Sequence, residues 1–140
     1  MKKVKVLIIW LLFVVFQVNA QNLTQEEIIG TWTVKKVQSL AESSGENKKI
    51  MEMLMDAFLK SKFHFKADYN FTLDFSFDEM KIKNGHWKFN PDTNSIIIQE
   101  WKDKDTNKWK LMEIIVKKES DKIIFQLLES FLVLEMKKEK

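Results

Sequence analysis

The chain has no cysteine and no arginine, and only one proline and three glycines in 140 residues. Without cysteine there can be no disulfide, no thiolate metal site, no thiol nucleophile and no lipid-bearing cysteine of a bacterial lipoprotein. Without arginine the chain lacks the planar, bidentate fork that reads phosphates and guanine edges. So few prolines and glycines exclude collagen-like and low-complexity material. A hydrophobic fraction of 45% excludes a disordered chain. No Gly-rich phosphate loop and no Gly-x-Ser-x-Gly elbow is present.

An excess of either charge is also missing once the N-terminus is set apart. Lys2, Lys3 and Lys5 precede an apolar run from Val6 to Phe16, which ends in Gln17-Val18-Asn19-Ala20. A basic start, an apolar run and a small-residue box are the three parts of a secretory signal peptide, with cleavage expected after Ala20. The run is shorter than the roughly 20 residues that span a bilayer, and no later stretch is long enough. The formal charge of the whole chain is +3, all of it from those three lysines. Residues 21–140 then carry 20 lysines and 20 acidic residues, so the mature product is neutral. A neutral, arginine-free domain is not expected to bind nucleic acid. It should be exported to the periplasm or beyond as a monomer, with no integral membrane association after cleavage.

Residues 21–140 read as one domain. Thr24 and Glu27 have capping-box spacing, which predicts one helical turn. Ile28, Gly30, Trp32 and Val34 then fall on one side at period two, predicting a strand over 28–37. After the break at Ser43-Ser44-Gly45 the period changes. Ile50, Leu54, Ala57 and Phe58 recur at helical spacing, and Ser43 with Glu46 repeats the capping-box spacing, so residues 46–60 are expected to be a helix. Strands are expected over 62–68, 70–78, 83–89, 95–101, 108–118, 122–128 and 131–137, separated by turns such as Asp68-Tyr69-Asn70 and Asn90-Pro91-Asp92. Eight consecutive strands with short turns predict an all-β, eight-stranded antiparallel up-and-down barrel with one helix between the first two strands. A sandwich would use the same alternation.

At Gly30-Thr31-Trp32 the chain resembles the lipocalins, whose first strand carries Gly-x-Trp after a short N-terminal turn. The stretches IIGTWTV, FHFKADYNFTLDF and NGHWKFNPDTNSIIIQ also resemble small lipocalin-like (calycin-type) domains of secreted proteins from Bacteroidetes-type bacteria. The resemblance covers most of residues 27–136. It implies a barrel with Gly30 and Trp32 as structural residues, Trp32 plugging one end. Lipocalins stack a basic residue of the last strand on this tryptophan, usually arginine; here Lys137 or Lys138 is the substitute. The helix between the first two strands resembles instead the fatty-acid-binding proteins, which have two there.

The expected inward set is aromatic: Phe63, Phe65, Phe71, Phe75, Phe77, Trp87 and Phe89. It could line a cavity for a small hydrophobic ligand or pack the barrel solid. Met51, Leu54, Met55 and Phe58 would sit at the mouth, as a lid or as a helix packed across one end. Glu100 and Glu113 are expected to face inward if Ile98 and Ile115 do. His64 and His86 should face solvent, and two histidines do not make a zinc site. No catalytic residue, metal or cofactor is expected. Asn22-Leu23-Thr24 and Asn70-Phe71-Thr72 match the glycosylation pattern by coincidence. The leading expectation is an exported, non-enzymatic barrel that binds a small hydrophobic molecule. The alternative is an inhibitor or immunity-type module that binds an unidentified protein through an exterior patch of Ile97, Trp101, Met112 and Ile114.

Overall fold

The computed structural model describes residues 23–42, 44–77, 81–100 and 109–140. The elements are α1 (Gln25–Ile28), β1 (Gly30–Ser39), α2 (Glu46–Leu59), β2 (Lys62–Phe65), β3 (Asn70–Asp74), β4 (Ile82–Asn90), β5 (Ser95–Gln99), β6 (Lys110–Glu119), β7 (Lys122–Leu127) and β8 (Leu132–Lys138). Each strand pairs antiparallel with the next, and β8 returns to β1 to close the barrel. The fold is therefore all-β, up-and-down, with one helix between the first two strands. Closure leaves no open sheet edge. No helix of the described residues is long and apolar enough to cross a membrane.

Alternation sets the inner face. Trp32 and Val34 on β1, Phe63 and Phe65 on β2, Phe71 and Leu73 on β3, Ile96 and Ile98 on β5, and Leu132, Leu134 and Met136 on β8 are all buried. Their intervening neighbours point outward, as the two-residue pleat requires. Several strands are shorter than the sequence predicts. β2 stops at Phe65 because Lys66 to Tyr69 turn: the Tyr69 N–H donates to Lys66 O at 3.0 Å, and the Asn70 N–H donates to Asp68 Oδ1 at 3.0 Å. β3 ends at Asp74 rather than 78, and Asp78 lies outside the described residues, as do Trp101 and Lys108.

The first strand also starts later. Ile28 belongs to α1, whose capping box forms as expected: the Thr24 side chain accepts from the Glu27 N–H and the Glu27 carboxylate accepts from the Thr24 N–H. Ile28 is nonetheless fully buried, and its carbonyl accepts the Trp32 indole N–H at 2.8 Å. Trp32 thus closes the α1 end of the barrel, its ring 5.4 Å from that of Phe125.

Glu46–Leu59 is helical as predicted, but its start and its buried face differ. The N-cap is Gly45, at φ 65 with no side-chain cap, and Ser43 lies outside the described residues. Ile50, expected on the apolar stripe, is 63% exposed. The packed stripe is Met51, Leu54, Met55 and Phe58, with Ala57 beside it. That spacing of three, four and seven satisfies the helical period equally well. The sequence has more apolar residues here than one face can bury, so packing chose between two stripes.

Candidate functional site

The seven aromatic residues expected inside come together. Phe63, Phe65, Phe71, Phe75 and Trp87 are at most 3% exposed, and Phe77 and Phe89 are half-buried against them. They pack ring on ring. Phe65 meets Phe71 at 5.0 Å, Trp87 edge-on at 5.6 Å and Phe125 edge-on at 6.1 Å. Phe63 meets Phe71 at 6.2 Å and Phe125 at 6.0 Å. These separations are those at which aromatic pairs attract beyond simple burial. Phe125 on β7 is a hub the sequence reading left out, although alternation along 122–127 points to it. Both described indoles on the inner face are satisfied by backbone: Trp32 by Ile28 O, and Trp87 by Lys66 O at 2.9 Å.

The proposed mouth residues also meet this core. Phe58 is buried, 4.7 Å edge-on from Phe75, while Met51, Leu54 and Met55 are half-buried. In this topology the connections after β1, β3, β5 and β7 lie at one end of the barrel, with α2. Two clefts open there, one on each side of the start of β4.

Two β-bulges shape that space. Along β3–β4, Phe71 pairs with Gly85 and Leu73 with Ile82, so three steps on β4 match two on β3. Along β5–β6, Ile98 pairs with Met112 but Gln99 with Lys110, so Leu111 is the extra residue and stands 45% exposed. Bulges bend a strand and re-aim its side chains, and they concentrate beside functional sites. β5, at five residues, is shorter than the nine of β4 and the ten of β6. At this end β4 runs on from His86, the partner of Gln99, to Ile82, while β6 begins at Lys110 opposite Gln99. A notch of about 510 Å³ lies between the two bulges, lined by Ile82, Lys83, Asn84, Glu100, Leu111 and Met112 among others. A second cleft of about 470 Å³ lies on the other side of the start of β4, between Lys60 at the end of α2 and Thr72 to Ser76. The two share Lys81, Ile82 and Lys83.

The sequence reading did not single out this segment, although a glycine inside a strand pattern signals a bulge or a close approach. Both apply at Gly85. A Cβ there would stand 2.7 Å from Ile82 Cγ2 and 3.2 Å from the Phe71 carbonyl oxygen. Gly85→Ala is expected to cost about 1–3 kcal/mol by overpacking, read as a lower urea midpoint.

The bulge at Leu111 also overturns the expected phase of β6. Met112, Ile114 and Val116 face inward, Ile114 fully buried. Glu113 and Ile115 face outward instead, and Glu113 sits 3.7 Å from Lys110. The exterior patch of Ile97, Trp101, Met112 and Ile114 therefore does not form. Met112 and Ile114 belong to the inner face, Ile97 alone is outward and half-buried, and Trp101 lies outside the described residues. Glu100 does reach the site, as an exposed wall of the notch. The histidines are on the outer face and half-buried. His64 is held on both sides, Thr31 Oγ1 lying 3.0 Å from Nδ1 and Asp74 Oδ2 lying 3.0 Å from Nε2. Asp74 is mostly exposed and lines the second cleft.

The basic residue expected on Trp32 is Lys138. Its Nζ lies 5.7 Å from the ring centroid and donates to Glu27 O at 2.8 Å.

No family model matches the chain, and no curated protein matches it. Among solved structures it is similar to a crystal structure of a DUF4847 family protein from Bacteroides vulgatus. That likeness has a TM-score of 0.48 at 15% identity, and covers 84% of this chain and 100% of the other.

Proposed function

We propose that the protein is an exported, lipocalin-like, non-enzymatic binding protein, trimmed after Ala20, that takes a small apolar molecule at the notched α2 end of its barrel. The observation that carries this reading is the pair of bulges, on β4 and β6, beside which a cleft lies. The volume of about 510 Å³ is within the range of small-molecule sites, roughly 300–1,000 Å³. Its apolar side chains, Ile82, Leu111 and Met112, supply the contact area, and Lys83, Asn84 and Glu100 supply the polar edge.

The test is titration of residues 21–140 with the uncharged fluorophore N-phenyl-1-naphthylamine. Saturable, one-to-one enhancement is expected. Leu111→Lys, at an exposed position, should weaken binding about tenfold or more and leave the far-ultraviolet circular dichroism unchanged. One buried methylene is worth about 0.8 kcal/mol, so losing a leucine's contact reaches that size. Absence of saturable enhancement overturns the proposal.

The second reading, a protein partner on the exterior, rests on different residues from those first expected. Leu40 and Phe131 stand side by side, 61% and 58% exposed, joined by the Leu40 N–H to Phe131 O bond of 2.9 Å. Phe131 holds a left-handed φ of 57, a conformation that a bulky residue rarely adopts. A stoichiometric protein in natively purified material, lost on Phe131→Lys, favours this reading over the first.

A further inference from the structure

We propose that the protein pairs with a second copy of itself through one outer face of the barrel, the Phe131 ring of each copy filling a hollow across β1, β8 and β7 of the other. This inference rests on the exterior-partner reading above and names that partner.

Strand register builds the face. Outward positions are Lys36 and Gln38 on β1, with Leu40 just after it, and Val133 and Glu135 on β8, with Phe131 just before it. Val37, Leu132 and Leu134, which intervene, pack inward. Lys36 pairs with Glu135 and Gln38 with Val133, and the bond from the Leu40 N–H to Phe131 O continues that ladder. On β7, Ile124 lies opposite Glu135. An apolar end, Leu40 and Phe131, thus runs into an apolar middle, Val133 and Ile124.

The middle is hollow. β1 carries an extra residue, Lys35, where its register against β8 shifts, and such a bulge bends the strand. Beside it lies a space of about 170 Å³, lined by Ile124 and Val133 with Lys36 and Gln38 from β1. That is below the roughly 300–1,000 Å³ of small-molecule sites, and it suits one inserted side chain. The exposed ring of Phe131 is the aromatic side chain on this face.

Three features select a second copy as the occupant. Ring and hollow share one face, so a two-fold axis between them seats both rings at once. Gln38, exposed between Leu40 and Lys36, stands by that axis. Its amide both donates and accepts, so it can bond its own counterpart. Charge is complementary in the same sense. Around the hollow, Lys35, Lys36, Lys117 and Lys122 outnumber Glu119 and Glu135. Around the ring, among the described residues, Glu42, Glu113 and Glu129 outnumber Lys110. The two-fold pair sets each acidic flank against the other copy's lysine-rich hollow.

The experiment is sedimentation velocity of residues 21–140 over about 1 μM to 1 mM, the span of weak to moderate affinities. A face this small belongs with transient interfaces. The chain should be monomeric when dilute, approach a dimer when concentrated and grow no further, because a two-fold pair is closed. Added salt should shift it toward monomer. Phe131→Gly removes the ring and suits the φ of 57, so it should stay monomeric with an unchanged or higher melting temperature. Phe131→Lys and Ile124→Glu should each be monomeric alone, with unchanged far-ultraviolet circular dichroism. Mixed together they should recover a dimer, because one intact ring meets one intact hollow and the introduced lysine meets the introduced glutamate. A wild-type chain that stays monomeric or grows past the dimer overturns the inference. So does a dimer that survives Phe131→Gly, or a mixture that fails to associate. A different protein held at Phe131 in native material, with the isolated chain monomeric, overturns it and leaves the exterior reading standing. A monomeric chain with no protein lost on Phe131→Lys overturns both.

Discussion

Phe65→Ala is expected to destabilise residues 21–140 by about 3–5 kcal/mol, the usual cost of removing a fully packed ring. A small domain has only about 5–15 kcal/mol in total, so the variant should be folded but marginal at room temperature. Phe65 is 1% exposed and meets four rings, those of Phe63, Phe71, Trp87 and Phe125. Those four come from three strands besides its own, β3, β4 and β7, and from β2 itself. None can swing into the vacated space without leaving its own partners, so a void should remain. An apolar void of that kind stays dry and binds benzene or xenon. The measurement is a urea melt of wild type and variant, followed by a second melt with benzene present, which should restore part of the loss. This result also bears on where a ligand can sit. If Phe65→Ala costs less than about 1 kcal/mol, the interior is not filled by rings and the ligand site belongs inside the barrel rather than at the notch.

Gly30→Ala is the other substitution with a large expected effect, about 2–3 kcal/mol. Two separate causes combine. Gly30 has φ 139, in a region that only glycine occupies without strain. A Cβ there would also stand 2.6 Å from Lys138 Cε. The lysine crosses over Gly30 to reach Glu27 O while its ammonium lies over the Trp32 ring. The Gly-x-Trp pattern thus has a physical cause in this chain: the glycine leaves room for the basic side chain that covers the tryptophan. A double-mutant cycle separates the causes. Lys138→Ala alone should cost about 1–2 kcal/mol from the lost hydrogen bond and cation–π contact. Gly30→Ala/Lys138→Ala should cost less than the sum of the single variants, since the clash is gone and only backbone strain remains. Strict additivity would show that strain accounts for the whole effect and that the lysine moves aside freely.

How far the residues alone could reach differs from strand to strand. On β2 and β3 large rings alternate with charged or hydroxyl residues, and the inward assignment of Phe63, Phe65 and Phe71 holds. On β6, Leu111, Met112, Ile114, Ile115 and Val116 place apolar residues on both faces, so no period can be read. There the bulge at Leu111 decides, and it moves Ile114 inward and Glu113 outward. The helix shows the same ambiguity: two apolar stripes were available, and only contact with Phe63 and Phe75 selects the one through Phe58. The clefts were not legible at all. They lie where β4 runs past the end of β5 and gains a residue against β3, and where β6 gains Leu111 against β5, and pairing of distant segments sets all three.

The sequence by itself therefore determined the number and order of the strands, the single helix among them, the aromatic inner face of the early strands, and the Gly30–Trp32 pair at one end. These follow from short-range periodicity and turn chemistry, which are local properties. Tertiary structure alone decided that the aromatic set packs ring against ring, that Lys138 rather than Lys137 covers Trp32, which face of β6 turns inward, and where the barrel opens. Those depend on register between strands far apart in the chain, and a single extra residue in one strand reverses every side chain beyond it.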